Sequence, residues 1–200
     1  MAGHISDSSV GLLSYNAERL TLTTRSATRS PSPVPVSWQV PDEVVQTLAV
    51  QPFVRVGSDL LLAQRNADGT CAPLVLRVYG GAGPGEAVGA DAMIPFWTVV
   101  ASADEPDRMV QAGGYAVSAG GKTQLRLFNA AGDGAFGETL AEVPGTALSV
   151  TEYAHDKDSM EIYLLCEADG MRRIHVYEAL KKTQRPLPGE FGCSEIVMAK

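Results

Sequence analysis

One strand-like pattern recurs along this chain of 200 residues at a nearly constant spacing. In its clearest part, apolar residues flank one polar residue, at 76–79 (LRVY), 125–128 (LRLF) and 174–177 (IHVY). The copies begin at 76, 125 and 174, so neighbouring copies are 49 residues apart. Repeats of about 50 residues with several short strands are typical of β-propeller blades. This period constrains the fold strongly, because each unit must bury its apolar face against its neighbours.

Two further features keep their places in the repeat. An earlier apolar run ends, in successive copies, at residues 50, 100, 150 and 198. Asp-Gly or Gly-Gly precedes the polar-centred run in three copies, at 68–69, 120–121 and 169–170. These dipeptides favour hairpins, because glycine readily adopts the positive φ of tight turns. The order of strand, turn and strand is therefore preserved.

The repeat predicts an all-β fold, a small β-propeller of about four blades. Residues 1–8 are expected to form a flexible tail, and 9–200 a single domain. Its repeats are assigned to 9–43 plus 194–199, 44–94, 95–146 and 147–192. Strands from both ends of the chain would complete the first blade and close the ring, which removes an open sheet edge. A β-sandwich is the alternative, because it also contains short strands at regular intervals.

Composition and charge argue against several classes of function. The formal net charge is −7 and no basic stripe occurs, so nucleic acid is not an expected partner. No apolar segment has the length of a transmembrane helix, and the N-terminus lacks the basic start and apolar run of a secretory signal. The sequence therefore predicts no membrane partner, and a protein that is cytoplasmic or exported without a visible signal.

No motif for catalysis, metal or cofactor binding stands out. The three cysteines, at 71, 166 and 193, are widely spaced without a Cys-x-x-Cys, and a disulfide between Cys71 and Cys193 stays open. Residues 155–158 hold a histidine and two aspartates, but a solvated turn is favoured because no further ligands follow at useful spacing. A G-x-S-x-G motif is absent. We expect no enzyme, no cofactor and no metal.

A polar residue occupies the same strand position in three repeats. Arg77, Arg126 and His175 have apolar neighbours on both sides, so their side chains point to the opposite face from those neighbours. Arginine offers a fixed fork of N–H donors that suits hydroxyl and carboxylate groups. A ring of similar binding sites would need such a donor, but arginines that bond loop carbonyls of the next blade would give the same pattern. Both interpretations stay open.

The arginine-centred strands resemble those of the fungal fucose-specific lectins, propellers that hold sugars between blades. A Gly-Asp-Gly turn between the second of these strands and the next glutamate strengthens the likeness. The resemblance implies that arginine and glutamate bind sugar hydroxyls while an aromatic ring stacks on the apolar face of the sugar. On this chain it implies the carbohydrate-binding residues Arg77, Arg126, Glu138, Glu86 and Trp97.

Function is therefore predicted as non-catalytic binding, with lectin-like recognition of a fucose-like glycan between blades. The alternative is a structural or protein-interaction subunit that uses the propeller face and an N-terminal arm. The Ser/Pro-rich residues 25–42 are interpreted as an extended linker or a docking segment. An enzyme with its site in the central channel is the third interpretation, and homo-oligomerisation stays open.

Overall fold

The computed structural model describes the backbone and side chains of residues 53–57, 59–77, 85–129, 134–156 and 159–196. For five strands, at residues 2–6, 9–16, 19–26, 36–39 and 82–84, it describes the backbone. The chain forms two compact units, Met1–Val88 and Gly89–Lys200. All sixteen regular elements of the described residues are β-strands, which confirms the all-β prediction. Within this part of the chain, no helix has the length and apolar character needed to cross a membrane.

The first unit contains eight strands in one sheet. The strands are β1 (Ala2–Ser6), β2 (Ser9–Asn16), β3 (Arg19–Ser26), β4 (Val36–Gln39), β5 (Val54–Val56), β6 (Asp59–Arg65), β7 (Cys71–Arg77) and β8 (Ala82–Pro84). Their order is β4-β3-β2-β1-β5-β6-β7-β8, so two antiparallel meanders meet at β1 and β5. These two strands are parallel and share the pair His4 and Val54. Residues 60–62 and 74–76 are buried on both faces, as their continuous apolar runs predict.

The second unit contains two antiparallel sheets of four strands. The β9 sheet consists of β9 (Ala92–Ala101), β10 (Met109–Ala119), β11 (Lys122–Phe128) and β12 (Phe136–Pro144). The β13 sheet consists of β13 (Thr146–Ala154), β14 (Met160–Ala168), β15 (Met171–Glu178) and β16 (Thr183–Pro186). In both sheets each strand pairs with its neighbours in sequence. One apolar core joins the sheets, with Phe96 and Leu125 from the first and Ile162 and Leu164 from the second.

Two of the predicted hairpin turns have the positive φ angles that the sequence predicts for them. Gly120 and Gly121, between β10 and β11, have φ angles of 58° and 76°. Asp169 and Gly170, between β14 and β15, have φ angles of 52° and 74°. Positive φ at both central residues matches the right-handed twist of the flanking strands. These turns fix the register of the two central hairpins.

The chain ends differ from the prediction. Residues 2–6, expected as a tail, form β1 and give the first meander its first strand. This meander therefore needs no strand from the C-terminus. In the described part of the chain no strand pairing closes a ring: residues 194–196 lie outside any strand, and 197–199 lie outside the described residues. Four-stranded meanders are typical of propeller blades, whereas two sheets that share a core are also found in sandwiches.

The cysteines do not form the disulfide that the sequence left open. Neither Cys166 nor Cys193 is part of a disulfide. Cys71 is buried in β7 and Cys166 in β14, whereas Cys193 is exposed. Burial raises the pKa of the Cys166 thiol to about 11, and a hydrogen bond with Thr123 offsets part of this rise. Cys166 is therefore a small core residue, as its apolar strand predicts.

Candidate functional site

A group of hydrogen-bonding side chains surrounds Glu161 on the β13 sheet. The Tyr163 hydroxyl donates to Glu161 Oε2 at 2.6 Å, and His155 Nε2 lies 3.1 Å from the same oxygen. A guanidinium nitrogen of Arg185 donates to Glu161 Oε1 at 3.3 Å. The Glu161 side chain is only 12% exposed, whereas those of His155 and Arg185 are 47% and 56% exposed. We call these four residues the Glu161 cluster.

The antiparallel register brings most of this cluster to one face of the sheet. Glu161 and Tyr163 are two residues apart on β14, so their side chains point the same way. Tyr163 lies opposite Val176 of β15, which in turn lies opposite Arg185 of β16. On the other side of β14, Glu161 lies opposite Tyr153 of β13. Directly opposite residues share a face, so four strands contribute to one surface.

Burial, hydrogen bonds and nearby charges determine the protonation states of Glu161 and Tyr163. Burial alone would raise the pKa of Glu161, but hydrogen bonds from Tyr163 and His155 and the charges of His155 and Arg185 hold it below its usual value. Burial, together with the hydrogen bond to Glu161 and its charge, raises the pKa of Tyr163 to about 12. At neutral pH, Glu161 is therefore an ionised acceptor and Tyr163 a neutral donor.

An aromatic pair borders the cluster. The rings of Tyr153 and His155 meet edge to face, with centroids 4.8 Å apart and an interplanar angle of 84°. Acid, arginine and aromatic groups therefore converge on one surface. His155 lies in an exposed bend, as the sequence predicts for this turn, and its ring nitrogen also contacts Glu161. Among the described residues, no group of three or more His, Cys, Asp or Glu side chains could hold a metal ion.

The C-terminal segment covers the rest of this face. Leu187, Phe191 and Ile196 pack over an apolar patch that includes Leu165 and Val176. Hydrogen bonds hold the segment in place, among them one from the Arg172 guanidinium to the Cys193 carbonyl at 2.9 Å and one from Ile196 N to Ser149 Oγ at 3.2 Å. Tyr163 contacts the same patch, so the segment borders the Glu161 cluster.

The five predicted carbohydrate-binding residues are divided between the two units. Arg77 ends β7 and Glu86 is exposed in the chain that follows β8, so both belong to the first unit. Trp97, Arg126 and Glu138 belong to the second unit. Their assignment as binding residues stays a prediction.

The three predicted residues of the second unit have separate partners. The Arg126 guanidinium carbon lies 4.5 Å from the centroid of the Phe136 ring. Glu138 forms an exposed ion pair with Lys182 at 3.6 Å. The backbone N–H of Trp97 donates to a carboxyl group of β13 at 3.0 Å. Within the described part of this unit, no hydrogen bond or ion pair joins Arg126, Glu138 and Trp97.

The repeated polar position does not repeat one environment. Arg77 stands at the end of β7, Arg126 lies within β11, and His175 is buried in β15. Burial lowers the pKa of His175, and the nearby charge of Arg173 lowers it further. His175 is thus a buried residue that favours the neutral form, unlike the arginines at the equivalent positions.

Glu152 is a second carboxyl group with an unusual environment. It lies on β13, and its Oε1 accepts the Trp97 N–H of β9 at 3.0 Å, which ties the two sheets together. Burial raises the pKa of Glu152 to about 7, although backbone hydrogen bonds from Trp97 and from Glu152 itself oppose the rise. A carboxyl group that ionises near neutral pH makes folding depend on pH in that range.

We expect the stability of the second unit to fall as pH rises, through the titration of Glu152. The pKa in the folded state is about 7 and the usual value is 4.5, so the folded state holds this proton more tightly. The stabilisation that this proton provides is complete below the usual pKa and is lost as pH rises through the folded pKa, by about 3 kcal/mol. Glu152→Gln keeps a side-chain carbonyl for Trp97 and removes the titration.

Urea unfolding of both proteins between about pH 4.5 and pH 8 measures this effect. Glu152→Gln should match the wild type at the acid end and become the more stable protein at the basic end. The exposed Glu138→Gln is the control, and its profile should run parallel to that of the wild type. Parallel profiles for Glu152→Gln and wild type would contradict the assignment.

The strand arrangement defines this chain as an all-β protein built from four-stranded antiparallel meanders. The family profile described as DUF4784 WD40-like domain matches residues 36–199, and the chain belongs to this family. A solved structure of a DUF4784 family protein from Bacteroides caccae is similar, with a TM-score of 0.67 and 18% sequence identity. That match covers 94% of this chain and 50% of the other.

A second solved structure has a similar fold at lower identity. It is an exo-β-1,3-galactanase from Phanerochaete chrysosporium in complex with β-1,3-galactotriose, with a TM-score of 0.52 and 8% identity. The match covers 95% of this chain and 49% of that one, so the chain spans about half the length of both solved proteins. Comparison with curated protein sequences gives no match. Neither the family profile nor these structures supports the resemblance to the fungal fucose-specific lectins.

Proposed function

We propose that this domain is a non-catalytic carbohydrate-binding module whose site is the Glu161 cluster. The convergence of an acid, an arginine and an aromatic pair on one face of the β13 sheet carries the proposal. Sugar recognition uses hydrogen bonds from charged groups to hydroxyls and contact between a ring and the apolar face of the sugar. The cluster offers both kinds of contact, and it is proposed in addition to the site that the sequence predicts at Arg126.

The exposure of the cluster suits a ligand that approaches from solvent. Glu161 is held in place by three donors, whereas His155 and Arg185 are about half exposed. Arginine carries five N–H donors, and the described contact with Glu161 uses a single nitrogen. A hydroxyl group could therefore contact Arg185 and the outer carboxylate lone pairs together. The galactanase gives further support, because a similar fold occurs in a protein in complex with a galacto-oligosaccharide.

The charge state of Glu161 favours binding over acid catalysis. A general acid needs a carboxyl group whose pKa lies near the working pH. The pKa of Glu161 is instead lowered, since hydrogen bonds and positive charges outweigh its burial. Glu161 is thus suited to accept hydrogen bonds from sugar hydroxyls in its ionised form.

A glycan-array screen of the purified protein, followed by titration calorimetry, tests the proposal. We expect binding to a defined set of sugars, and a loss of at least about tenfold, or 1.4 kcal/mol, in Arg185→Ala. Lys122→Ala is the matched control, because Lys122 is an exposed cation on the β9 sheet that pairs with Glu142. That variant should bind like the wild type.

Two results would count against the carbohydrate site. A folded protein that binds no glycan on the array would move the proposal to a structural or protein-interaction role. Equal weakening by Arg185→Ala and Lys122→Ala would show that net charge, and not the Glu161 cluster, governs binding.

A further inference from the structure

Arg126 contains a buried donor without an acceptor. Its Nε is buried, and within the described part of the chain it has no hydrogen-bond partner. The guanidinium group is charged at any physiological pH, and an unpaired buried N–H of a charged group is strongly unfavourable. Native structures therefore supply an acceptor for nearly every such group. The acceptor for Arg126 must come from outside the described contacts.

The surrounding aromatic side chains hold the guanidinium in place. Its carbon lies 4.5 Å from the centre of the Phe136 ring, a distance at which a cation is attracted to the ring face. Phe136 meets Phe128 and Tyr115 edge to face, with centroids 5.5 Å and 6.0 Å apart. The ring face attracts the positive charge, but it accepts no hydrogen bond from the N–H groups, because these lie in the plane of the guanidinium. The contact with Phe136 therefore holds the Arg126 guanidinium in one position.

The β-ladder beside Arg126 is irregular. Register shifts between β11 and β12 occur on both sides of the pair formed by Arg126 and Thr139. Bulges of this kind turn a side chain away from the regular sheet direction and are common beside functional sites. This irregularity is a second observation, independent of the buried donor, that points to a specialised position.

The nearby carboxylates of β12 are engaged elsewhere. Glu138 pairs with Lys182 at 3.6 Å. Glu142 accepts hydrogen bonds from Lys122 and Gln124 at 2.8 Å and 2.9 Å. Neither carboxylate contacts Arg126 in the described structure.

We propose that Arg126 anchors a second binding site, which takes the carboxylate group of a small-molecule ligand. A carboxylate matches the fork of Nε–H and the adjacent terminal N–H in the plane of the guanidinium. The Phe136 ring supports this plane from one face. The site lies on the β9 sheet and does not depend on the Glu161 cluster, so either proposal can fail without the other.

The Arg126 Nε–H signal in a nitrogen-correlated NMR spectrum of the wild-type protein tests this site directly. The signal is assigned through the side-chain carbons of Arg126, and sodium acetate, D-glucuronate, D-glucose and sodium chloride are then titrated separately. Acetate and glucuronate should shift the signal in a saturable way. Glucose, which matches glucuronate apart from the carboxylate, and chloride should leave it in place. The Arg185→Ala protein should respond to acetate as the wild type does.

Three results would overturn the proposal. The first is the absence of a saturable shift with either carboxylate, and the second is an equal shift with chloride, which would indicate a general effect of salt. The third concerns Asp133, the only acidic residue in the sequence between β11 and β12. If Asp133→Asn moves the Arg126 signal without added ligand and abolishes the response to acetate, the acceptor belongs to the chain itself.

Discussion

Gly114→Ala should destabilise the second unit by about 3 kcal/mol, a large loss for one methyl group. A Cβ atom at Gly114 would lie 2.5 Å from the Arg126 carbonyl oxygen and 2.5 Å from Cζ of Phe96. Both distances are far inside van der Waals contact. Phe96 is fully buried in the core between the two sheets, so its ring cannot move aside without opening that core.

Urea unfolding of Gly114→Ala beside Gly137→Ala separates crowding from the general effect of replacing glycine in a strand. Both residues lie in the β9 sheet, and a Cβ at Gly137 would meet nothing closer than 3.9 Å. Gly137→Ala should change the free energy of unfolding by no more than about 0.5 kcal/mol. If Gly114→Ala is as stable as this control, the added methyl group does not overlap with Phe96 or the Arg126 carbonyl, and the prediction is wrong.

Sequence periodicity predicted the strands and hairpins of the second unit because the information is local. Short apolar runs mark the strands, and Gly-Gly or Asp-Gly marks each central turn. Strand β1 was missed for the opposite reason. Apart from Ile5, residues 2–6 are small or polar, and their pairing with β2 and β5 depends on where other strands lie.

The candidate site was harder to predict, because its residues meet across strands. Glu161 and Tyr163 alternate with buried apolar residues on β14, a signal that is visible in the sequence. Arg185 reaches them only through the register of β16, and His155 only through a loop. The sequence pattern instead highlighted Arg77 and Arg126, which share a strand position and have different surroundings. Equivalent positions in a repeat therefore predict the fold better than they predict a site.

Gly145→Ala should cost about 4 kcal/mol, because strain and overlap act together. Gly145 has a φ of +93°, which side chains other than hydrogen rarely allow. A Cβ there would lie 2.6 Å from the Glu167 carbonyl oxygen and 2.9 Å from its carbon. Both close atoms belong to the backbone of β14, so no side-chain rotation can relieve the overlap.

A buried hydrogen-bond network makes movement of Gly145 costly as well. Its carbonyl accepts the Thr123 hydroxyl at 2.7 Å, and Thr123 in turn lies 2.8 Å from the Ser118 hydroxyl. Ser118 Oγ accepts the Ala147 N–H at 3.0 Å. The network links β10 and β11 of the β9 sheet to the start of β13. Displacing Gly145 would leave these buried groups unpaired, which costs more than the hydrogen bonds contribute.

Gly170→Ala is the matched control for Gly145→Ala. Gly170 also has a positive φ, +74°, but nothing lies within 4 Å of the position its Cβ would take. The free energy of unfolding of Gly170→Ala should fall only by the cost of a left-handed backbone conformation at alanine, about 1–2 kcal/mol. The difference between the two free energies of unfolding, measured in urea, then reports the overlap with β14 and the broken network. Equal losses would mean that backbone strain alone accounts for the effect of Gly145→Ala. The overlap with β14 and the buried hydrogen bonds would then contribute nothing to it.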